Sequence, residues 1–427
     1  MMTKPVGLKL TAMVSIAMAV IVGLPSCGGG GANDDNFQDT ATYTGLSDTL
    51  SALIGQLEGQ KILREMQQYA ILDDPTYSID DFNDGLATIF DYRHPLAYTS
   101  GVAMGIKINQ DIDPLEDAGI GINRKELVDK IAMSIDPTRI ITPEAAQALG
   151  ERYVELATRA LNGGSSHVVD SLQSVYAEWI AAQLSGDIGN FNRNENRNYN
   201  LPQFIKGIRK MTENKGTDAF YGGAYQATIL AQHIAVIEKK GVNIRPGTVL
   251  DEMQSVLKEG KPDSLQTENL ALRVEEILSR IDRDYYEAED LRMASTDRAI
   301  QNIKTGEALV ARMKASNPDA QTTASGLTYI IKSRKNGTPI AESDTVVASY
   351  KGSHLDGKVF ETYEKAVLVP SETVEGLREG LLMLGEGDKA TFYIPGNIGY
   401  RGHGLPYSGV GPMETIIYDI EILSVQK

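Results

Sequence analysis

The segment SYKGSHLDGKVFETYEKAV, residues 349–367, contains the side chains that most clearly suggest a functional site. It places Tyr350 and Phe360 on either side of a Leu-Asp-Gly turn. No neighbouring Ser, Cys or His resembles an activated nucleophile, which would need an adjacent base. Aromatic side chains without a nucleophile, an acid–base pair or a metal ligand indicate binding through apolar surface. We therefore expect chemistry that requires no proton transfer.

The elements around this segment predict an α+β domain over residues 323–427. Four stretches alternate apolar and polar residues or are rich in β-branched residues, and Gly-rich turns separate them: SGLTYIIKS, DTVVASYKG, KATFYIPG and ETIIYDIEIL. This pattern is typical of strands. EGLREGLLML, residues 375–384, predicts a short helix among them.

The order and spacing of several motifs resemble the FKBP-type peptidyl-prolyl cis/trans isomerases over residues 325–427. These motifs are S-G-L-x-Y, D-T-V-x-x-x-Y-x-G, D-G-x-V-F, E-G-L, Y-I-P and T-x-I-Y-D-I-E-I-L. The resemblance implies a twisted antiparallel sheet wrapped on the short helix, with an aromatic-lined site between them and no cofactor or metal. Amide resonance gives the X-Pro bond a rotation barrier of about 18–20 kcal/mol. A dry apolar site favours the twisted amide over the planar one.

The resemblance assigns roles to individual residues of this chain. Tyr350 and Phe360 match wall aromatics, and Tyr400 matches the Tyr whose hydroxyl bonds the substrate backbone. Val410 matches an apolar loop position, and Val374 stands where Ile is usual.

The chain also departs from the family pattern at the site. Tyr418 stands where Phe is usual, Glu361 replaces an Asp, and Leu377 replaces the Trp at the base of the site. A second wall Phe is replaced by either Leu368 or Val369. Because loss of an indole removes a flat platform for the proline ring, we expect reduced activity.

Two other features of this domain have weaker interpretations. His354 and His403 are isolated loop histidines, and no second ligand lies at metal spacing. The stretch GYRGHGLPYSGVG, residues 399–411, lacks the Lys-Ser/Thr ending of a phosphate-binding loop. We therefore expect a loop at the rim of the substrate site.

The N-terminal part of the chain predicts repeated helices. Four similar segments begin at Leu50, Tyr98, Leu172 and Tyr221, with a small residue at the third place in each: Ala52, Ser100, Ser174 and Gly223. We expect these small residues to be the points where helices approach closely. Each segment precedes a shorter amphipathic helix. The only tryptophan, Trp179, is expected to serve packing.

The spacing of these segments divides the chain into two helical modules, residues 45–165 and 166–263, followed by a long connecting helix over 264–322. If that helix is broken, the break is expected near Gly306. The pattern resembles the helical dimerisation module of bacterial envelope isomerases. We expect the helix pairs to interlock within one chain, giving a monomer with an internal pseudo-dimer; a homodimer is the alternative.

The N-terminus resembles a bacterial lipoprotein signal over residues 1–27. Lys4 and Lys9 precede an apolar run that ends in L-P-S-C at Cys27, the only cysteine. A lipid attached to Cys27 would bind the chain to a bilayer, and residues 28–44 would form a flexible tether. A plain secretory signal is the alternative. The expected location is the bacterial cell envelope, at the outer membrane, facing the periplasm or the surface.

Composition restricts the partners. The 427 residues carry a formal net charge of −16, which disfavours nucleic acid because its binders need clustered Lys and Arg. The sequence thus predicts an envelope prolyl isomerase that assists folding of exported proteins, with proline-containing unfolded polypeptides as substrates. The alternative is a non-catalytic chaperone that uses a degenerate isomerase domain and helical arms.

Overall fold

The computed structural model describes residues 45–91, 93–139, 141–213 and 215–427, and it confirms the α+β class. Cys27 and the signal segment lie outside the described residues. The chain forms two compact units, the first ending at Ser279 and the second spanning Arg280–Lys427. Among the helices of the described residues, none is both long enough and apolar enough to cross a membrane.

The first unit is built from helices in the predicted order. They are α1 (Leu46–Gln68), α2 (Ile79–Phe90), α3 (Leu96–Asp117), α4 (Arg124–Ser134), α5 (Pro143–Leu161), α6 (Ser166–Glu195), α7 (Leu201–Thr212), α8 (Asp218–Glu238) and α9 (Pro246–Glu259). Side-chain oxygens of several N-cap residues accept a backbone N–H of the first turn: Ser78, Asn123, Thr142, Asn200 and Thr217. Such caps satisfy donors that the helix itself leaves free.

The helices of the first unit pair in a nested order. α1 packs against α9, α2 against α8, α3 against α7, and α4 against α6. The first helix pair therefore interlocks with the fourth, and the second with the third. These pairings all lie within one chain, as the predicted interlock requires.

Glycines lie at the tightest of these crossings. A methyl group on Gly85 would lie less than 3.0 Å from the backbone of Phe220, and one on Gly223 would meet the backbone of Phe82 equally closely. Gly101 and Gly207 form the matching contact between α3 and α7. Only glycine allows backbones to approach this closely.

Three of the four predicted close-approach positions were wrong. Ser174 is exposed, and Ala52 and Ser100 are only half-buried, whereas Gly223 lies at a crossing. At α3 the crossing uses Gly101, the residue after Ser100, because a serine side chain still carries a Cβ that would collide with α7.

The connecting segment forms two helices, α10 (Ser264–Ala294) and α11 (Asp297–Ser316), and not one long helix. The predicted break near Gly306 was wrong, because the break lies at Ser295 and Thr296. The Thr296 hydroxyl caps α11 by accepting the N–H of Ala299 at 3.3 Å. A capping residue begins a new helix, whereas a single glycine is tolerated inside one.

The second unit holds a sheet of six antiparallel strands. They are β1 (Gln321–Thr322), β2 (Thr328–Ser333), β3 (Thr345–Ser353), β4 (Val359–Leu368), β5 (Lys389–Ile394) and β6 (Ile416–Gln426), in the order β1-β2-β5-β6-β3-β4. The predicted short helix is α12 (Glu375–Leu382), which packs on β5. Its residues Leu377 and Leu381 join the sheet's buried face in one apolar core.

Candidate active site

The site is built around one row of the sheet. Gly352 on β3 pairs with Tyr418 on β6 and with Glu361 on β4. The next pair, Ser353 with Val359, leaves Phe360 as an extra residue on β4. Such a bulge bends the strand and redirects its side chains. Because of it, the consecutive residues Phe360 and Glu361 both lie against Gly352.

An aromatic wall is formed by the rings of Tyr350, Phe360 and Tyr418. The Tyr350 and Tyr418 ring centroids are 5.6 Å apart, and those of Phe360 and Tyr418 are 6.0 Å apart in an edge-on arrangement. Tyr363 extends the wall outward, with its ring 5.3 Å from that of Tyr350. Aromatic pairs at these separations are mutually stabilising.

A chain of hydroxyls crosses the wall. The Tyr418 hydroxyl donates to Oε1 of Glu361. Since a phenol has one proton, Tyr418 can only accept from Tyr400, whose hydroxyl lies 3.3 Å away. This distance is long for a bond between two hydroxyls. The hydrogen bond from Tyr400 to Tyr418 is therefore weak, and the Tyr400 hydroxyl can donate to another acceptor.

The phenol groups of Tyr350, Tyr400 and Tyr418 stay protonated. Burial, reinforced by Tyr400 and by the Glu361 carboxylate, raises the pKa of Tyr418 far above its usual range. Burial also raises the pKa of Tyr350, with Glu361 adding to the effect, and burial is the main cause of the raised pKa of Tyr400. These hydroxyls can donate and accept hydrogen bonds but cannot serve as bases near neutral pH.

An apolar floor is formed by Val374, Leu377 and Val410. Leu377 and Val410 are 6% and 2% exposed, and both belong to the core cluster that contains Tyr418. Val374 precedes α12 as its N-cap residue and packs against the same cluster. Of the two candidates for the second wall position, Leu368 packs against this cluster. The structure thus brings all eight predicted site residues of this domain into one region.

α12 lies unusually close to the sheet beneath this floor. A methyl group on Gly380 would lie less than 3.0 Å from the ring of Phe392, and one on Gly376 would meet Ile394. Phe392 is completely buried and pairs with Tyr418 across β5 and β6. The packing of Gly380 on the Phe392 ring therefore fixes the position of Leu377 on the same helix.

His354 is not the isolated histidine that the sequence suggested. Its Nδ1 lies 2.6 Å from Oε1 of Glu414, and its ring meets that of Phe360 edge-on at 5.3 Å. The other oxygen of Glu414 accepts the N–H of Gly411 at 2.7 Å. Glu414 thus joins the turn after β3 to the loop that carries Val410. Within the described part of the chain, no group of three His, Cys, Asp or Glu side chains could hold a metal ion.

Sequence reasoning missed three contributors to the site. Gly352 leaves room for the Phe360 ring, Tyr363 extends the wall, and Glu414 holds His354. The Tyr-x-Gly spacing in β3 placed Gly352 on the same face as Tyr350, which was a usable signal. Glu414 lies 60 residues from His354 in the chain, and no local sequence pattern indicated that the two side chains would meet.

Comparison with known proteins identifies similar chains. The family model described as FKBP-type peptidyl-prolyl cis-trans isomerase matches residues 337–423. A probable FKBP-type peptidyl-prolyl cis-trans isomerase of Haemophilus influenzae is 30% identical over 207 residues, which are 48% of this chain and 80% of that relative. The outer membrane protein MIP of Legionella longbeachae is 29% identical over 199 residues, 44% of this chain and 79% of the relative.

Two further similarities are more restricted in coverage or geometry. A probable FKBP-type isomerase FkpA of Neisseria meningitidis is 35% identical over 128 residues, and this match spans 29% of the chain but only 46% of that relative. The crystal structure of FkpA from Escherichia coli aligns at 24% identity over 49% of this chain and 94% of that one, with a TM-score of 0.29.

Proposed function

Because this chain belongs to the family of FKBP-type peptidyl-prolyl cis-trans isomerases, we propose that residues 323–427 catalyse rotation about X-Pro peptide bonds in incompletely folded polypeptides. The proposal depends on one observation. The hydroxyl of Tyr400 is protonated, makes only a weak hydrogen bond to Tyr418, and lies beside an aromatic wall and an apolar floor. No group that titrates near neutrality is needed.

The physical argument concerns the peptide bond itself. Rotation breaks amide resonance and makes the carbonyl and nitrogen less polar, so an apolar surface favours the twisted state more than the planar one. The rings of Tyr350, Phe360 and Tyr418 supply that surface. The Tyr400 hydroxyl then fixes the peptide backbone by donating to a carbonyl, so that the proline ring stays in place while the bond turns.

We expect this activity to be lower than in relatives with the usual residues, for two reasons. Leu377 offers the proline ring no flat platform, because an aliphatic side chain stands at the base of the site. In addition, Tyr418 brings a hydroxyl that accepts from Tyr400. A substrate must therefore displace this contact before Tyr400 can donate to it.

The cellular role follows from the N-terminal sequence. We propose that Cys27 is lipidated and that the chain works in the bacterial envelope, at the outer membrane, on proline-containing exported proteins. The lipoprotein-like sequence that ends at Cys27 supports this, and a relative is named an outer membrane protein. The interlocked helices of the first unit support a monomer, since each helix pair already has its partner within the chain.

A second function, binding without catalysis, is favoured by the same two departures. If Leu377 and the Tyr400–Tyr418 contact abolish turnover, the aromatic wall would still hold apolar segments of unfolded chains. Tyr363 is exposed beside it and would enlarge the binding surface. A chain with no isomerase activity that still prevents aggregation of an unfolded reporter would favour this function.

The deciding experiment is a protease-coupled assay on a proline tetrapeptide with the chain lacking residues 1–27. Tyr400→Phe removes the donated hydrogen bond, and we expect kcat/KM to fall about threefold to tenfold, the usual value of one such bond. Tyr407→Phe is the matched control, because Tyr407 lies on the same loop and is fully exposed. An unmodified chain with no rate above background would exclude catalysis.

A further inference from the structure

The rim loop, residues 399–411, needs support from outside itself. It contains five glycines and carries both Tyr400 and Val410. Glycine-rich backbone loses much conformational freedom when it is ordered. A catalytic hydroxyl on such a loop reaches a fixed place only if other elements hold the loop, since small displacements of positioned groups reduce rates strongly.

The last turns of α10 hold the first half of the rim loop. The N–H of His403 donates to Oδ1 of Asp290 at 3.1 Å, and the His403 ring lies on Tyr286 with centroids 4.1 Å apart. Gly402 is buried against the backbone of α10, where a methyl group would lie less than 3.0 Å from the carbonyl oxygen of Asp290. His403, read from the sequence as isolated, is thus part of a helix–loop contact.

The next helix holds the second half of the loop. Asn302 on α11 donates through Nδ2 to the carbonyl of Pro412 at 2.8 Å. Gly411 is buried beside Asn302 and the guanidinium of Arg298, with no room for a methyl group beside the Asn302 amide. One turn further on, Gly306 packs directly on Thr415, at the start of the return into β6.

Residues of two consecutive helices contact the same loop region. α10 ends at Ala294 and α11 begins at Asp297, so the Asp290 contact and the Asn302 contact lie on two separate helices. An unbroken helix would place these residues 12 positions apart on one straight axis, about 18 Å along it. The loop is thus contacted at Gly402 by the first helix and at Gly411 by the second.

We propose that Asp290 and Asn302 are positioning residues for prolyl isomerisation, holding the rim loop so that Tyr400 faces the aromatic wall. They act through the loop and do not touch the substrate. The connecting helices are in this view part of the catalytic unit and not a spacer. This inference rests on the proposed isomerase function for its effect on rate, but the loop contact itself can be measured without turnover.

The test compares three variants of the chain lacking residues 1–27. Asp290→Ala removes the acceptor for His403, Asp290→Asn retains a carbonyl acceptor, and Glu287→Ala removes an exposed carboxylate one turn earlier on the same helix. Asp290→Ala is expected to lower kcat about fivefold to tenfold with little change in KM, because a positioning defect acts on the rotation step. Asp290→Asn should recover most of the rate, and Glu287→Ala should match the unmodified chain.

Amide hydrogen exchange provides the second readout. Asp290→Ala and Gly402→Ala should speed exchange across residues 399–413 while leaving β5 and β6 protected, because only the loop is released. Unchanged exchange and unchanged kcat in both variants would overturn the inference. If the unmodified chain has no activity, faster loop exchange in Asp290→Ala would still support the contact, while the failure would fall on the proposed function.

Discussion

Glycine serves different purposes at the helix crossings of the first unit and in the core around the site. In the helical unit, Gly85 and Gly223 bring one helix backbone against another, and no side chain enters the contact. In the second unit, Gly352 and Gly380 make room for the rings of Phe360 and Phe392. The first use fixes the architecture, whereas the second fixes where aromatic side chains stand. The comparison implies that substitutions in the first unit act on stability and substitutions around the site act on activity.

The largest effect is expected from Gly223→Ala in α8. Its new methyl group would press on the backbone of Phe82, which cannot rotate away as a side chain would. We expect the free energy of unfolding to fall by about 2–3 kcal/mol, the upper part of the range for overpacked cores. Denaturant unfolding followed by helical circular dichroism measures the change.

Gly186→Ala is the control for this comparison. Gly186 lies inside α6, and a methyl group there meets nothing within 4 Å. The exchange should stabilise the helix by up to about 1 kcal/mol, because alanine is the better helix former. If Gly223→Ala stabilised the chain to the same degree, the proposed backbone contact between α2 and α8 would be wrong.

The intermediate effect is a gain of activity in Leu377→Trp. An indole at the base of the site should stack on the proline ring and raise kcat/KM about fivefold, which corresponds to about 1 kcal/mol of aromatic contact. Because Leu377 is 6% exposed, the larger ring should also cost about 1–3 kcal/mol of stability. Turnover and denaturant unfolding are measured on the same preparation.

Leu381→Trp separates the two consequences of this substitution. Leu381 is fully buried one turn later on α12, so it tests overpacking at a position not assigned to the site. We expect a similar loss of stability and no gain in rate. A folded Leu377→Trp variant with unchanged kcat/KM would show that the missing platform does not limit the activity.

Much of the helical unit was predictable because its signals are local. Apolar residues at helical spacing gave the helices, and Asn123 and Thr142 marked their first turns through side-chain caps. The crossings were not predictable, since a glycine such as Gly101 gives the same local pattern whether another helix meets it or not. The nested pairing of helices depends on contacts between distant residues, such as that of the Asn109 amide with the Met211 carbonyl, 102 positions apart.

The site shows the same division between local and distant information. Motif order predicted the residues of the wall and floor, and the structure brings them together. The contacts between these residues could not be predicted from the sequence. The bulge at Phe360 depends on strand register, and the contact of Tyr400 with Tyr418 depends on where a loop lies against a strand.

The helix break at Thr296 could have been predicted from the sequence. The sequence Ser-Thr-Asp favours the start of a new helix, whereas a lone glycine such as Gly306 is tolerated inside one.

The smallest expected effect is that of pH on the site. Burial raises the pKa of Tyr350, Tyr400 and Tyr418 above the usual value of about 10, so all three remain protonated donors between about pH 6 and pH 9. In that range kcat/KM should stay constant. Their contribution to stability is fully present below pH 10 and is lost as pH rises through the folded values, because the unfolded phenols ionise first. A sigmoidal rate profile between pH 6 and pH 9, measured in buffers of constant ionic strength, would mean that a titrating group takes part. It would contradict the view that the site works by apolar surface and a neutral hydroxyl.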